Sequence, residues 1–176
     1  GLIWATRSLF IRGSVKRCKL VDITGYVVTY NEDKHLEACL ASLKFCSRII
    51  VTDLGSTDRC VEIATRAGAR VIHRAPKPLV EEIWQEVAPL DDSEWVVFLD
   101  PDEIIPPRTA EIILQTIEYT ENLACIKVPC TFYYLGKPLK GTAWGGQRFK
   151  PLVFRRRDLT LTGWVHEGKK VDPSGI

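Results

Sequence analysis

The sequence predicts an α/β fold, with a doubly wound, mostly parallel, Rossmann-like sheet and a mixed β region in the C-terminal half. Two observations predict it. Strand-like and helix-like patterns alternate between Val21 and Tyr119, an order typical of parallel sheets. After Asn122 the patterns are strand-like only, and glycine-bearing segments separate them. A length of 176 residues suits one domain with a buried core better than two.

The elements of the first half follow from the spacing of apolar residues. Short apolar runs predict strands, and apolar residues at i, i+3, i+4 and i+7 predict helices. We expect Ser56 or Thr57 to cap the start of the second helix and Gly68 to follow its end. The predicted strands span 21–29, 48–52, 70–73 and 95–99, and the predicted helices lie around 36–43, from about 56, at 80–87 and at 109–119.

The second half predicts strands at 125–134, 152–156 and 160–165. Within it, the run 155–157 consists of three arginines. These arginines could attract a phosphorylated acceptor or a diphosphate, or they could form a charged strand edge that resists aggregation.

The first twenty residues differ from the rest, because basic residues alternate with Leu2-Ile3-Trp4 and Leu9-Phe10-Ile11. This N-terminal extension could contact anionic lipid, form an extra strand or be disordered. We treat residues 21–176 as a single domain. Since the chain begins at Gly1 and contains no methionine, we expect a processed or partial chain whose C-terminal part could be missing.

Composition excludes several classes of protein. A net charge of +2 gives no electrostatic footprint for nucleic acid. No apolar run approaches the length of a transmembrane helix. The six cysteines form no CxxC pair, and the chain is not a small disulfide-stapled one, so we expect reduced thiols and a cytoplasmic location.

An acidic turn follows the buried strand predicted at 95–99. It contains Asp100, Asp102 and Glu103. These carboxylates repel one another unless a positive charge lies between them, and Mg²⁺ or Mn²⁺ prefers such oxygen ligands. The alternative is a solvated acidic turn before Pro106-Pro107.

Polar clusters also follow two other predicted strands, at 29–32 and 53–58. Because parallel strands bring their carboxyl ends to one edge, we expect all three clusters to share a crevice. The sequence has neither GxGxxG nor GxxxxGK[ST], so phosphate binding would depend mainly on a metal. The helix that Ser56 and Thr57 are expected to open could add backbone N–H donors.

The segments 26–32 (YVVTYNE), 50–58 (IVTDLGSTD) and 98–103 (FLDPDE) resemble the three signature blocks of glycosyltransferase family 2. This family comprises inverting enzymes of the glycosyltransferase A fold. The resemblance extends from about Val21 to Glu167 and is greatest to the bacterial lipopolysaccharide-core and cell-surface polysaccharide branch. It implies metal-dependent transfer of a hexose from a nucleotide-diphosphate donor, a UDP-sugar above all, to a glycan or lipid-linked acceptor. Such synthesis of cell-envelope polysaccharide would take place in the cytoplasm, at the inner face of the membrane.

The resemblance also implies roles for individual residues. Asp102 would hold Mn²⁺ or Mg²⁺, and Asp100 would contact the ribose or complete the metal shell. Glu103 would orient these two aspartates. The nucleotide-binding residues would be Thr29, Asn31, Glu32 and Asp53.

Direct displacement at an anomeric carbon needs a base for the acceptor hydroxyl. The resemblance makes Glu167 the candidate base, and His166 would face the donor diphosphate or the metal. A polar strand end without catalytic role is the alternative.

The sequence departs from the family pattern at two places. Leu54 replaces a second acid that many relatives use on the nucleobase. The predicted helix at 80–87 carries Glu81, Glu82 and Gln85 where relatives often have a basic residue followed by Asn. Arg74 or Lys77 would then be the candidates for the diphosphate. Two other functions stay open, a non-catalytic or truncated nucleotide-sugar-binding domain and a nucleotidyltransferase.

Overall fold

The computed structural model describes residues 21–139, 148–162 and 169–171. Its helices are α1 (Asp33–Ser42), α2 (Cys60–Arg66), α3 (Val80–Val87) and α4 (Pro107–Tyr119). Its strands are β1 (Ile23–Thr29), β2 (Arg48–Asp53), β3 (Arg70–His73), β4 (Trp95–Leu99), β5 (Cys125–Cys130), β6 (Tyr133–Tyr134), β7 (Lys137–Pro138), β8 (Arg148–Arg155), β9 (Leu159–Leu161) and β10 (Lys169–Val171). Short 3₁₀ turns span Ala88–Leu90 and Arg156–Asp158.

The main sheet has the strand order β3-β2-β1-β4-β8-β5. Strands β3, β2, β1 and β4 are parallel, with Tyr26 of β1 opposite both Ile50 of β2 and Phe98 of β4. Strand β8 runs antiparallel to β4, and β5 runs antiparallel to β8. The predicted fold is therefore confirmed: a mostly parallel doubly wound sheet continues into a mixed β region.

Helices cover both faces of this sheet, because successive side chains of a strand point to opposite sides. Ile23 and Val27 of β1 pack in the same core as buried residues of α1, α2 and α4. Tyr26, between them, packs on the other face with Trp84 of α3 and with Phe98. All residues of β4 are buried, as expected for a central strand covered on both sides.

The start of α2 differs from the prediction. The helix begins at Cys60, four residues after Ser56. The residues before it form a loop instead, because the backbone N–H groups of this loop donate hydrogen bonds to side chains outside the helix. Asp58 acts at the helix start instead, because its Oδ1 accepts the backbone N–H of Cys60 at 3.0 Å. Gly68, with φ +77°, follows the helix as predicted.

The second half also differs from the predicted boundaries. The segment 125–134 divides into β5 and the short β6, and Leu135 and Gly136, both at positive φ, turn the chain into β7. Strand β8 begins at Arg148, earlier than predicted. The predicted last strand is described only as β9, and the N-terminal extension lies outside the described residues. No helix in the described ranges is long and apolar enough to cross a membrane.

Candidate active site

The carboxyl ends of β1, β2 and β4 lie side by side at one edge of the sheet. Thr29, the last residue of β1, pairs with Asp53, the last residue of β2, and Val27 pairs with Leu99 at the end of β4. The polar segments that follow these strands are therefore neighbours, as the parallel topology requires.

Asn31 joins the first two of these segments. Its Oδ1 accepts the backbone N–H of Thr57 at 2.8 Å, and its own N–H donates to Ser56 Oγ at 3.0 Å. Its φ of +57° lies in the left-handed region, which asparagine tolerates better than most residues. The side chain of Asn31 thus holds together the loops that border the predicted nucleoside pocket.

Thr29 and Glu32 are linked through a thiol that the sequence does not mark as functional. Cys60 Sγ lies 3.2 Å from Thr29 Oγ1 and accepts the N–H of Glu32 at 3.2 Å. Burial raises the pKa of Cys60. Thr29 is buried beneath the loop, whereas the Glu32 side chain is partly exposed at the start of α1.

Asp53 is almost fully buried, and its carboxylate stabilises its own loop. It accepts the backbone N–H groups of Gly55 at 3.1 Å and Ser56 at 3.2 Å, and His73 Nδ1 lies 3.2 Å away. Burial alone would raise the pKa of Asp53, but the hydrogen bonds from Ser56, Gly55 and His73 hold it below its ordinary value. His73, to which sequence reasoning assigned no role, has an imidazole that is 68% exposed beside this carboxylate.

The acidic turn contains a protein cation between two of its carboxylates. Lys150 Nζ of β8 lies 2.6 Å from both carboxylate oxygens of Glu103 and 3.2 Å from Asp100 Oδ2. Burial lowers the pKa of Lys150, yet the charges and hydrogen bonds of Asp100 and Glu103 outweigh it and raise the pKa above its ordinary value. Glu103 Oε2 also accepts the N–H of Asp100 at 3.2 Å. Glu103 is thus held within the turn.

Asp102 differs from its two neighbours, because its side chain is exposed and contacts no other described residue by hydrogen bond or ion pair. Within the described part of the chain no group of three or more His, Cys, Asp or Glu side chains is arranged to hold a metal. Asp102 and the half-exposed Asp100 nonetheless supply the hard oxygen donors that Mg²⁺ and Mn²⁺ accept. These ions commonly take one or two carboxylates and complete their shell with water and phosphate oxygens. The two aspartates fit such an ion.

A cleft of about 570 Å³ opens beside the acidic turn. The turn, the start of α4 and the end of β5 line it, together with Lys150 and Leu152 of β8. Its volume lies within the range of about 300–1,000 Å³ that is typical of small-molecule sites.

The arginines 155–157 lie away from this site. Arg155 pairs with Trp95 at the beginning of β4, so the length of that strand, roughly 13 Å, separates it from the acidic turn. Arg156 donates to Ser93 O at 2.7 Å and to Asp91 Oδ2 at 3.0 Å. These arginines therefore stabilise the opposite end of the sheet and do not reach a diphosphate at the acidic turn.

Of the other candidates, Arg74 and Lys77 both contact Glu86, at 3.5 and 2.9 Å. His166 and Glu167 lie outside the described residues.

Sequence reasoning missed Lys150 and, on the other face, Lys169, whose Nζ lies 3.8 Å from the Trp84 ring centroid. The only sequence signal for such a cation was the excess of negative charge in the acidic turn. That excess indicates that a cation is needed and does not indicate which residue supplies it.

Comparison with solved structures finds proteins of similar fold. Glucosyl-3-phosphoglycerate synthase of Mycobacterium tuberculosis, in complex with Mn²⁺, UDP and glucosyl-3-phosphoglycerate, is 29% identical, with a TM-score of 0.51 over 65% of this chain and 45% of that chain. The same enzyme with Mg²⁺ and UDP gives a TM-score of 0.50 at 27% identity, over 60% of this chain and 42% of that chain. Residues 1–349 of TarS from S. aureus share the fold, with a TM-score of 0.50 at 22% identity, over 55% of this chain and 32% of that chain.

Among curated proteins, a TPR repeat-containing protein of Synechococcus elongatus is 33% identical over 78 residues, which are 44% of this chain and 19% of that protein. The chain thus spans less than half the length of each of these proteins. The family model described as glycosyl transferase family 2 matches residues 26–166, which include the strand ends and the acidic turn. Since this match covers most of the chain, the chain belongs to glycosyl transferase family 2.

Proposed function

We propose that this chain is the donor-binding part of a metal-dependent, inverting glycosyltransferase. The donor would be a UDP-sugar and the acceptor a glycan or lipid-linked precursor of a cell-envelope polysaccharide. One observation carries the proposal: the buried strand β4 ends in an acidic turn on which Asp102 is exposed and unpaired within the described structure. Family membership supports sugar transfer over nucleotidyl transfer.

Asp102 and Asp100 would hold Mn²⁺ or Mg²⁺ at this turn. Such an ion, when bound, neutralises charge on the leaving diphosphate. Lys150 supports this division of roles, because it binds Glu103 and one oxygen of Asp100 and leaves Asp102 available. The mycobacterial relative was solved with Mn²⁺ and UDP and with Mg²⁺ and UDP, which favours the same ions and nucleotide here.

Thr29, Asn31, Glu32 and Asp53 would form the nucleoside side of the pocket. Their placement supports this proposal, since the β1 and β2 ends adjoin and Asn31 joins the two loops. Asp53 would act mainly by holding the loop and His73 in position, because its oxygens already accept hydrogen bonds from both.

Glu167 would take the proton from the acceptor hydroxyl, and His166 would face the diphosphate or the metal. Both roles rest on the resemblance of the sequence. So do the lipopolysaccharide-core branch and the place at the inner face of the membrane. The cytoplasmic location rests on the cysteine pattern, and the division into a basic extension (1–20) and one domain (21–176) rests on length and composition. The cleft beside the acidic turn is the proposed acceptor side.

Calorimetry with UDP, in Mn²⁺ and in EDTA, tests the metal role of the turn. We expect Asp102→Asn to weaken UDP binding in Mn²⁺ by at least about tenfold, the ratio that corresponds to 1.4 kcal/mol. Binding in EDTA should be the same for the variant and the wild type. The matched control is Asp92→Asn, which changes a 98% exposed acid at the opposite end of the sheet and should bind UDP normally. Equal Mn²⁺ dependence in Asp102→Asn and wild type would refute the proposed metal site.

A further inference from the structure

Lys169 of β10 places an ammonium group against aromatic rings on the α3 face of the sheet. Its Nζ lies 3.8 Å from the centroid of Trp84, 5.0 Å from that of Phe98 and 5.9 Å from that of Phe154. Such cation–π contacts are attractive and fix the position of the ammonium group.

The aromatic rings do not replace a counter-ion. Among the residues that the structure describes, no carboxylate lies within ion-pair distance of Lys169 Nζ, whereas Lys77 and Lys150 each contact a glutamate. Burial, followed by the charge of Lys150, lowers the pKa of Lys169 to about 8. A partly desolvated ammonium reduces stability where no anion is paired with it, and such groups are enriched at functional sites.

The position of Lys169 indicates which anion would bind it. Phe98 is the residue before the last in β4, directly preceding the strand end at Leu99 and the acidic turn. The charges of Asp100 and Glu103 raise the pKa of Lys169 and oppose the larger effects of burial and of Lys150.

Near the start of α3, the described residues include acids and two paired cations. Helix α3, whose Trp84 Lys169 contacts, begins with Glu81 and Glu82. Arg74 and Lys77, which precede the helix, are paired with Glu86. An anionic group that binds at this sheet edge from the α3 side would therefore meet Lys169.

We propose that Lys169 binds the phosphate oxygens of the nucleotide-diphosphate donor, with Trp84, Phe98 and Phe154 holding its ammonium at the sheet edge. This inference rests on the proposed function, because it names a ligand of the same donor site. Binding would give the ammonium, by a charge-assisted hydrogen bond, an anion that the described part of the chain does not supply.

Calorimetry with UDP and with uridine, in Mn²⁺ and in EDTA, tests this role. We expect Lys169→Met to weaken UDP binding about ten- to hundredfold in both buffers, the range that one charge-assisted hydrogen bond gives. Uridine affinity should change less than twofold, because uridine has no phosphate. Lys169→Arg should keep most of the UDP affinity, and Lys127→Met, which removes an exposed cation of β5, should bind UDP normally.

Thermal unfolding without ligand separates binding from packing. Lys169→Met should unfold at the same temperature as wild type or higher, because it removes a partly buried charge that no described carboxylate pairs with. A lower unfolding temperature together with unchanged UDP affinity would show that Lys169 only packs on the rings, and would overturn the inference. If the wild-type chain does not bind UDP, both the proposed function and this inference are refuted. If Lys169→Met binds UDP as tightly as wild type, only the role of Lys169 is refuted.

Lysine labelling of the wild-type chain gives a test that needs no variant. UDP should slow acetylation of Lys169 by acetic anhydride, measured by peptide mass spectrometry, and should leave the acetylation of Lys127 unchanged. Equal acetylation of Lys169 with and without saturating UDP would overturn the inference.

Discussion

The variant Lys150→Met tests how much the Lys150 ammonium stabilises the acidic turn. The wild-type ammonium lies 2.6 Å from both oxygens of Glu103 and 3.2 Å from Asp100. Methionine keeps most of the side-chain length and removes the charge. The two carboxylates are then left to repel each other and Asp102.

The size of the effect follows from the exposure of the three side chains. Lys150 is 29% exposed, Glu103 27% and Asp100 49%. Breaking a fully buried pair costs about 3–5 kcal/mol, and an exposed pair is worth about 0–1 kcal/mol. An intermediate loss of about 1–2 kcal/mol is expected for this partly buried pair, which lowers the unfolding temperature of a chain of this size by about 2–8 °C.

Divalent metal should reverse this loss. With Lys150 absent, Mn²⁺ can neutralise Asp100 and Glu103 as well as Asp102, so it should stabilise Lys150→Met more than wild type. At a metal concentration of about 100 times the Kd, binding adds about 2.7 kcal/mol to the free energy of unfolding. Unfolding followed by circular dichroism, in EDTA and across a Mn²⁺ titration, measures both effects.

The matched control is Lys77→Met, which breaks the 2.9 Å pair with Glu86 away from the acidic turn. It should lose less stability and keep the Mn²⁺ response of wild type. Equal stability of Lys150→Met and wild type in EDTA would contradict this role of Lys150, and so would an equal rise of both unfolding temperatures with Mn²⁺.

Two further variants test the loop that Asp53 stabilises and the proposed base. The lowered pKa of folded Asp53 means that its contribution to stability is present above its ordinary pKa of 3.8 and is lost as pH falls below it. The stability difference between wild type and Asp53→Asn in urea denaturation should therefore be constant from about pH 5 to 7 and shrink below about pH 4. A difference that stays constant down to pH 3 would contradict this. Glu167→Gln should bind UDP normally and lower the rate of UDP release from UDP-glucose by about 10²–10⁴-fold, as loss of a general base does. An unchanged rate would exclude Glu167 as the base.

The fold could be predicted from the sequence wherever a local pattern determines an element. The bounds of β3 and β4 match the prediction, because a short apolar run with polar or glycine-containing neighbours fixes each strand. The start of α2 could not be predicted. Ser56 and Thr57 are good capping residues in isolation, but their backbone N–H groups bond to Asp53 and Asn31, on other segments of the site.

One part of the candidate site could likewise be predicted from the sequence, and another part could not. The acidic turn could be predicted, because an unbroken apolar strand directly precedes its carboxylates. Lys150 could not, because it reaches the turn from β8, an antiparallel strand that pairs with β4 only through the tertiary fold. Lys169 comes from β10, which belongs to a separate small sheet. No local pattern relates these lysines to residues that precede them by about fifty positions or more.

The position of Lys150 makes the three carboxylates of the acidic turn differ in what they can bind. Its carboxylates require a positive charge, and the protein provides one that binds Glu103 and a single oxygen of Asp100. A metal ion bound at this turn would be repelled by the ammonium, which would favour ligand oxygens that the ammonium does not contact. Asp102 and the remaining oxygen of Asp100 would be those ligands. Lys150 would therefore direct the metal toward Asp102, and oxygens of a bound diphosphate would complete its coordination shell.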